Sequence, residues 1–378
     1  KLGHPAVTAL VQVKHLVCAC TGLPRQDFEW IFEFKDATPK TTLASLGTMV
    51  PTTKFGETYQ YSNPLASAGG YVGGHVAYPD KELGAAYDAA MKASVFGPLG
   101  MRSTTFDFAT VLRQNHATPH GEDIDGVPRV ALMGPNYAII PIRPAGGAWS
   151  NVRDLARVVQ MELANGKIPG ADGKRLVSEA SIAARRAPQV SFGERQTYGM
   201  GLEVDRTWDL PWVHHGGSMI GFKSDYFFIP EHGIGGVILT NADAGYMLLR
   251  PFVRRTLEVL FDGRPEAKED VATVAKARKA QLRKERERLV VPPDPSAVSK
   301  LVPRYHNAAL GTLQVLTKDE LTFDFGEWKS AVATRKNDDG TTSFVTTTPG
   351  VDGFDFVVGE RQLVLRDAQH EYVFRETK

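Results

Sequence analysis

A charge-rich segment divides this 378-residue chain into two parts with different sequence patterns. Residues 266–289 interleave acidic and basic side chains, and a proline-rich stretch follows at 291–295. Because both signs of charge are mixed, the segment favours a solvated helix over a nucleic-acid site. A chain of this length also accommodates two or more domains. The sequence therefore predicts a first domain at 1–262, a charged linking helix within 263–292 and a small domain at 293–378.

The first part carries helical patterns. Leu83, Tyr87, Met91 and Val95 recur every four residues, which predicts a helix with one apolar face that ends near Gly97. A second helix is expected to start at Asn151, a residue type that caps helices. A third is expected over 247–261, with Pro251 in its first turn.

Strand patterns follow in both parts. Two apolar runs at 226–229 and 237–239, separated by a turn with proline and glycine, predict a hairpin in a buried sheet. The C-terminal part consists of short strand-like runs between turn signals, which predicts a small antiparallel barrel or sandwich. These runs are 312–315, 321–323, 342–345, 354–358, 363–365 and 372–374.

Composition excludes several classes of protein. The 44 basic residues nearly balance the 43 acidic ones, which argues against a nucleic-acid or anionic-membrane partner. No apolar run reaches the ~20 residues of a membrane-spanning helix, and the first five residues lack a signal-peptide pattern. A bridge between Cys18 and Cys20 would be strained at a spacing of two residues, so we expect buried thiols instead of a disulfide.

Two short motifs stand within an ordered series. Tyr61-Ser62-Asn63 and His215-Gly216-Gly217-Ser218 are accompanied by Lys14-His15-Leu16-Val17, Thr21-Gly22-Leu23-Pro24, Pro98-Leu99-Gly100-Met101, Pro144-Ala145-Gly146-Gly147, Ser150-Asn151-Val152-Arg153-Asp154 and Tyr198-Gly199-Met200-Gly201. Over residues 8–262 this series resembles the class C β-lactamase-like family of serine hydrolases, which includes β-lactamases, D-aminopeptidases, DD-peptidases and esterases. The resemblance implies an α+β fold, in which a helical lobe packs on an antiparallel sheet flanked by helices and the active site lies between them.

The resemblance also implies roles for individual residues. Tyr61 would be the general base or proton shuttle, and its phenol then needs a neighbouring cation to work near neutral pH. Asn63 would hydrogen-bond the substrate and hold the family's lysine. Gly216 and Gly217 would let substrate approach the strand, and the backbone N–H of Ser218 would be one donor of an oxyanion hole. Ser62 is interpreted as structural.

His215 occupies the position where β-lactamases have a lysine. A free imidazole is mostly neutral at pH 7, so it would hold a substrate carboxylate less firmly than a permanent cation does. This favours ester or peptide hydrolysis over β-lactam hydrolysis. His214 precedes it on a predicted strand and would point to the opposite face, so no metal site is predicted from the pair.

The family's nucleophile motif, Ser-x-x-Lys, does not occur in these residues. The nearest form, with Thr273 and Lys276, lies on the predicted linking helix. One interpretation is a serine hydrolase acting through an acyl-enzyme on an ester, peptide or amide, with its nucleophile on a segment absent from this chain. Without that segment the fold is expected to leave an exposed sheet edge and an apolar cavity. The other interpretation is a non-catalytic protein that binds a peptide, a cell-wall fragment or a partner protein in the cleft.

Neither interpretation requires a cofactor. The expected partner is a small-molecule or peptide substrate, and the resemblance implies a soluble, periplasmic or secreted protein. The sequence leaves the oligomeric state and the substrate open.

Overall fold

A computed structural model describes residues 2–377 and shows an α+β protein, as predicted. Within these residues it contains twelve α-helices and seventeen strands, joined by short 3-10 and π-helical turns. The helices are α1 (Pro5–Leu10), α2 (Asp27–Phe32), α3 (Pro39–Ser45), α4 (Asn63–Ala77), α5 (Leu83–Met91), α6 (Gly97–Leu99), α7 (Phe108–Leu112), α8 (Val152–Leu163), α9 (Glu179–Arg186), α10 (Tyr246–Leu260), α11 (Ala267–Arg288) and α12 (Pro295–Val298).

The strands form three antiparallel sheets. The smallest pairs β1 (His120–Glu122) with β2 (Pro128–Val130). The second is a six-stranded meander of β3 (Val190–Gly193), β4 (Gln196–Tyr198), β5 (Glu203–Asp205), β6 (Trp212–Met219), β7 (Phe222–Ile229) and β8 (Ile234–Thr240). The third contains β9 (Leu289–Val290), β10 (Arg304–Asn307), β11 (Gly311–Leu316), β12 (Thr322–Asp324), β13 (Lys329–Lys336), β14 (Thr342–Thr346), β15 (Asp355–Gly359), β16 (Gln362–Arg366) and β17 (Glu371–Glu376).

The six-stranded sheet lies between helices. Val159 of α8 packs with Val213 and Phe228 on one face, and Val253 of α10 packs with Phe227 on the other. The Asn151 side chain accepts hydrogen bonds from the amides of Arg153 and Asp154, so the predicted cap of α8 is confirmed. The predicted hairpin is also present as β7 and β8.

The helical lobe is centred on α4, which begins at the Tyr61-Ser62-Asn63 motif. Pro64 occupies its first turn, where a missing N–H costs nothing. Gly74 lets α5 approach closely, because a Cβ at this position would lie 2.7 Å from the Cα of Tyr87. This packing fixes the direction in which α4 leaves the motif.

The C-terminal sheet closes into a barrel. Strands β10 to β17 pair in sequence, β12 pairs with β13, and β17 returns to β10, which leaves no open edge among these eight strands. Phe323, Phe344 and Phe356 are fully buried in its core. Of the barrel and sandwich left open by the sequence, the structure has the barrel.

Residues 27–34, which we call the arm, join the barrel to the helical lobe. Phe32 of the arm is fully buried, and its ring centroid lies 4.9 Å from that of Trp328 and 5.0 Å from that of Phe325. The Trp328 indole N–H donates to the Ile31 carbonyl at 3.2 Å. The barrel core is therefore built partly from residues near the start of the chain.

Helix α11 covers most of the charge-rich segment and lies along the surface. Its arginines pair with acidic residues elsewhere: Arg278 with Glu122 at 2.9 Å and Arg286 with Asp125 at 2.8 Å. No helix among residues 2–377 is long and apolar enough to cross a membrane.

Two helix boundaries differ from the sequence predictions. The helix after Leu83 does not stop near Gly97 but continues through a π-helical turn at Lys92–Phe96 into α6, and ends at Gly100 with φ of 68°. The π turn is closed by a hydrogen bond from the Gly97 amide to the Lys92 carbonyl, and Pro98 lies in the first turn of α6. Helix α10 starts at Tyr246, which puts Pro251 inside the helix and not in its first turn.

The expectation of free thiols is wrong, because the structure joins Cys18 to Cys20 in a disulfide. Ala19 between them has φ of 52°, a left-handed conformation. This turn brings the two Cα atoms to 5.2 Å, within the usual range for a disulfide.

Candidate active site

A cavity of about 220 Å³ lies between the start of α4 and the six-stranded sheet. Tyr61 and Ser62 line it from the helical lobe, and Tyr198, His215 and Tyr226 line it from the sheet. The ring centroid of Tyr61 lies 6.4 Å from that of His215. The fold thus brings together two motifs that are about 150 residues apart in the chain.

The hydrogen bonds of His215 define its tautomer. Its Nδ1 lies 2.8 Å from the Gly216 carbonyl oxygen, which can only accept, so Nδ1 carries the proton. Its Nε2 lies 2.9 Å from the Tyr198 hydroxyl, which therefore donates. Desolvation lowers the pKa of His215, more than the nearby Glu203 carboxylate raises it. The imidazole is consequently neutral near pH 7.

Tyr198 is a site residue that the sequence showed only as part of a motif. Burial raises its pKa strongly, so the hydroxyl remains protonated and keeps donating to His215. Tyr198 lies on β4, and its side chain reaches His215 of β6 across the intervening strand β5. Strand pairing of this kind is not visible in a single sequence.

Tyr61 is partly buried and has groups of both charges nearby. Burial raises the pKa of its phenol, while the positive charge of Arg25 acts in the opposite direction. The guanidinium carbon of Arg25 lies 5.2 Å from the centroid of the Tyr61 ring, a cation–π arrangement. No sequence pattern pointed to Arg25, because the contact depends on the loop that leads into α2.

Asn63 lies beside Tyr61 in sequence but faces another group. Its Nδ2 donates to Asp27 Oδ1 at 3.0 Å, and it is not among the residues that line the cavity. Asp27 Oδ1 also accepts from the Trp30 indole at 3.0 Å, and Asp27 Oδ2 accepts from Arg25 Nε. Asn63 is therefore joined to the arm.

Strand β6 offers a free backbone edge beside the cavity. Strand β5 pairs only with Trp212 to His214, so residues 215–219 have β7 on one side and no strand of the described chain on the other. Gly216, Gly217 and Ser218 are exposed there. An extended molecule can approach this edge without meeting side chains at 216 or 217.

Ser218 lies farther along β6 and lines a second cavity of about 180 Å³. Three residues of strand separate it from His215, a distance of roughly 10 Å. Trp30 and Met219 contribute apolar walls, and Lys223 lies at one side with its Nζ 2.5 Å from Asp243 Oδ1. The predicted site residues thus divide: Tyr61 and His215 share the first cavity, and Ser218 lies at the second.

His214 and His215 point to opposite faces, as expected. His214 stacks on Trp212 with 3.9 Å between ring centroids, and its Nδ1 lies 3.3 Å from Asp225 Oδ2. His215 therefore faces the first cavity, whereas His214 packs on the other face of the sheet.

Comparison with known proteins agrees with this architecture. The model of the Beta-lactamase family matches residues 5–256, and the chain belongs to that family. Among solved structures, the octameric penicillin-binding protein homologue from Pyrococcus abyssi aligns over 96% of this chain and 78% of its own, with 20% identity and a TM-score of 0.57. This likeness covers almost the whole chain, including the barrel, and it concerns the fold.

Weaker likenesses extend over about two thirds of the chain. A class C β-lactamase aligns over 64% of this chain and 67% of its own, with 19% identity and a TM-score of 0.46. The β-lactamase/D-alanine carboxypeptidase from Pseudomonas syringae aligns over 62% and 67%, with 20% identity and a TM-score of 0.45. Among curated proteins, none matches the chain in sequence.

Proposed function

We propose that this site belongs to a serine hydrolase that acts through an acyl-enzyme on an ester, peptide or amide. The observation that carries the proposal is the convergence of Tyr61 and His215 on one cavity beside the free edge of β6. The nucleophile would come from a Ser-x-x-Lys segment, which the printed residues do not contain. Its serine would need to reach both Tyr61 and the edge of β6.

Each retained residue then has a role. Tyr61 shuttles the proton between the serine hydroxyl and the leaving group. The Ser218 N–H donates to the oxyanion, and Gly216 and Gly217 leave room for the substrate backbone. Asn63 orients the substrate and the lysine, which requires its amide to exchange or share its bond to Asp27.

Ester or peptide hydrolysis fits the site better than β-lactam hydrolysis. His215 is neutral and both of its ring nitrogens are engaged, so it offers no cation for the carboxylate of a penicillin. Substrates without a carboxylate at this position do not need a cation there, so a neutral His215 does not weaken their binding.

The barrel and the compartment are also part of the proposal. We assign 1–262 to the hydrolase domain, 263–292 to the linking helix and 293–378 to an accessory domain that covers part of the cleft. Support comes from Gly350, a barrel residue that lines the second cavity. The disulfide at Cys18 favours a periplasmic or secreted location, because disulfides persist in oxidising compartments.

A second candidate is a non-catalytic binding protein. The bond between Asn63 and Asp27 favours it, because this bond occupies the amide that catalysis would use. In that case the cavity and the β6 edge hold a peptide, a cell-wall fragment or a partner protein without chemistry.

The first experiment isolates the native protein from its source, measures its intact mass and sequences its N-terminus. In parallel, a fluorophosphonate probe is applied and the labelled peptide is mapped. A heavier protein labelled at the serine of a Ser-x-x-Lys motif supports the hydrolase. A mass equal to these 378 residues without labelling rejects the hydrolase and leaves the binding protein.

The printed residues alone are expected not to hydrolyse p-nitrophenyl acetate above the buffer rate. Rapid hydrolysis that disappears on replacing a serine within this chain, with Ser62→Ala as the first variant, would contradict the assignment of the nucleophile.

A further inference from the structure

Arg25 holds a defined position above the Tyr61 ring. Its Nε donates to Asp27 Oδ2, and its backbone amide donates to the Gln369 side chain of the barrel at 3.0 Å. The guanidinium carbon lies 5.2 Å from the ring centroid. The helical lobe, the arm and the barrel therefore all help to hold this cation beside the Tyr61 phenol.

The other groups that face Tyr61 do not favour a phenolate. Asp27 from the arm and Glu203 from β5 bring negative charge near the ring. Tyr198 from β4 is held as a neutral donor, and His215 from β6 is neutral. Among residues 2–377, Arg25 supplies the positive charge that acts on this phenol.

We propose that Arg25 is a positioning residue of the site, which stabilises the phenolate of Tyr61 through its charge and is held in place by Asp27 and Gln369. This inference rests on the proposed role of Tyr61 as proton shuttle. A phenol near its ordinary pKa of about 10 is a poor proton acceptor at neutral pH. A fixed cation beside it stabilises the phenolate and so makes the phenol a better proton acceptor. Asp27 opposes this effect, because its carboxylate also brings negative charge near the ring; the same carboxylate accepts hydrogen bonds from Asn63 and Trp30.

The test reads the phenol itself and does not require turnover. The full chain is prepared with a trifluorinated tyrosine at position 61, whose more acidic phenol titrates where the protein stays folded. The ¹⁹F shift is followed against pH in four backgrounds: unchanged, Arg25→Gln, Arg25→Lys and Arg195→Gln. Arg195 pairs with Asp209 on the surface and is the matched control.

Arg25→Gln is expected to raise the titration midpoint by about half a pH unit or more, because the nearby cation is lost. Arg25→Lys should recover most of the shift, and Arg195→Gln should leave the midpoint unchanged. An unchanged midpoint in a folded Arg25→Gln protein overturns the inference. If that variant does not fold, Arg25→Met is measured in its place and judged by the same criterion.

Activity separates this inference from the proposed function. In a native protein that hydrolyses esters, Arg25→Gln should also shift the pH profile of kcat/KM: the limb on which activity rises with pH should move to higher pH. A shifted ¹⁹F midpoint in a protein without hydrolase activity leaves the inference standing and rejects the proposed function. Hydrolase activity together with an unchanged ¹⁹F midpoint rejects the inference about Arg25 and supports the proposed function.

Discussion

The arm has one end in a packed core and the other at an open site. At Phe32 it meets aromatic rings on several sides, and no part of the side chain reaches solvent. At Asp27 it meets the hydrogen-bonding groups of Arg25 and Asn63, close to Tyr61, which lines the first cavity. Close packing around Phe32 stabilises the folded protein. The end at Asp27 leaves space, which is the arrangement expected where another molecule or segment must bind.

Phe32→Ala should give the largest effect on the packed side. Removing a fully buried phenylalanine from an aromatic core costs about 3–5 kcal/mol of unfolding free energy. The measurement is urea unfolding of the full chain followed by tryptophan fluorescence, since Trp328 reports on this core. Phe261→Ala, at a side chain that is 49% exposed, is the matched control and should cost under about 1 kcal/mol. Equal losses in the two variants would show that the arm does not hold the barrel core.

Tyr61→Phe tests the open side. In a native protein that hydrolyses esters, loss of the proton shuttle should lower kcat by about 10²-fold or more with little change in stability. Tyr59→Phe is the control, because Tyr59 packs on Phe192 and does not line the cavity. Comparable rates for Tyr61→Phe and Tyr59→Phe would place the proton shuttle elsewhere.

Glu29→Gln examines the boundary between the two regions. Burial raises the pKa of this carboxyl, although Tyr372 donates to Oε1 at 2.9 Å, and Oε2 is buried without a hydrogen-bond partner among residues 2–377. A raised folded pKa gives stability that is present below the unfolded value near 4.3 and is lost as pH rises through the folded value. The wild-type protein should therefore lose more stability than Glu29→Gln between pH 4 and pH 7. Unfolding free energies of both proteins at the two pH values provide the check, and identical differences would contradict it.

Ser62→Ala and Ser67→Ala form the finest comparison. Both serines are buried on or beside α4, but Ser67 donates to the Ile142 carbonyl at 2.8 Å, whereas the Ser62 hydroxyl has no hydrogen-bond partner in the described part of the chain. Ser67→Ala should cost about 1 kcal/mol, and Ser62→Ala should be neutral within about 0.5 kcal/mol. Thermal unfolding resolves the difference. A loss at Ser62 as large as that at Ser67 would mean that its hydroxyl is satisfied in solution.

The sequence predicted the features that depend on local pattern. Asn151 caps α8 because its side chain bonds to amides two and three residues away, and the turn after Ile229 joins the two strands of a hairpin. The ordered motifs also indicated the family, and the structure brings Tyr61 and His215 to one cavity.

Features that depend on distant contacts could not be predicted. Arg25 lies beside Tyr61, and its backbone amide is bound by Gln369, a barrel residue 344 positions later in the chain. Strand β13 was missed because lysines and arginine stand among its residues, and its burial comes from closure of the barrel. The disulfide depends on a left-handed residue, Ala19, which a single sequence does not reveal.

The arm also determines the order in which the chain can acquire its structure. During synthesis the N-terminal lobe emerges with Phe28, Trp30 and Phe32 exposed, and Trp328, which packs on Phe32, follows almost 300 residues later. At a synthesis rate of about 5–20 residues per second, these aromatic side chains wait tens of seconds for their core. During that interval the arm is a site where nascent chains can associate wrongly, so a chaperone that covers the arm would raise the yield of folded protein.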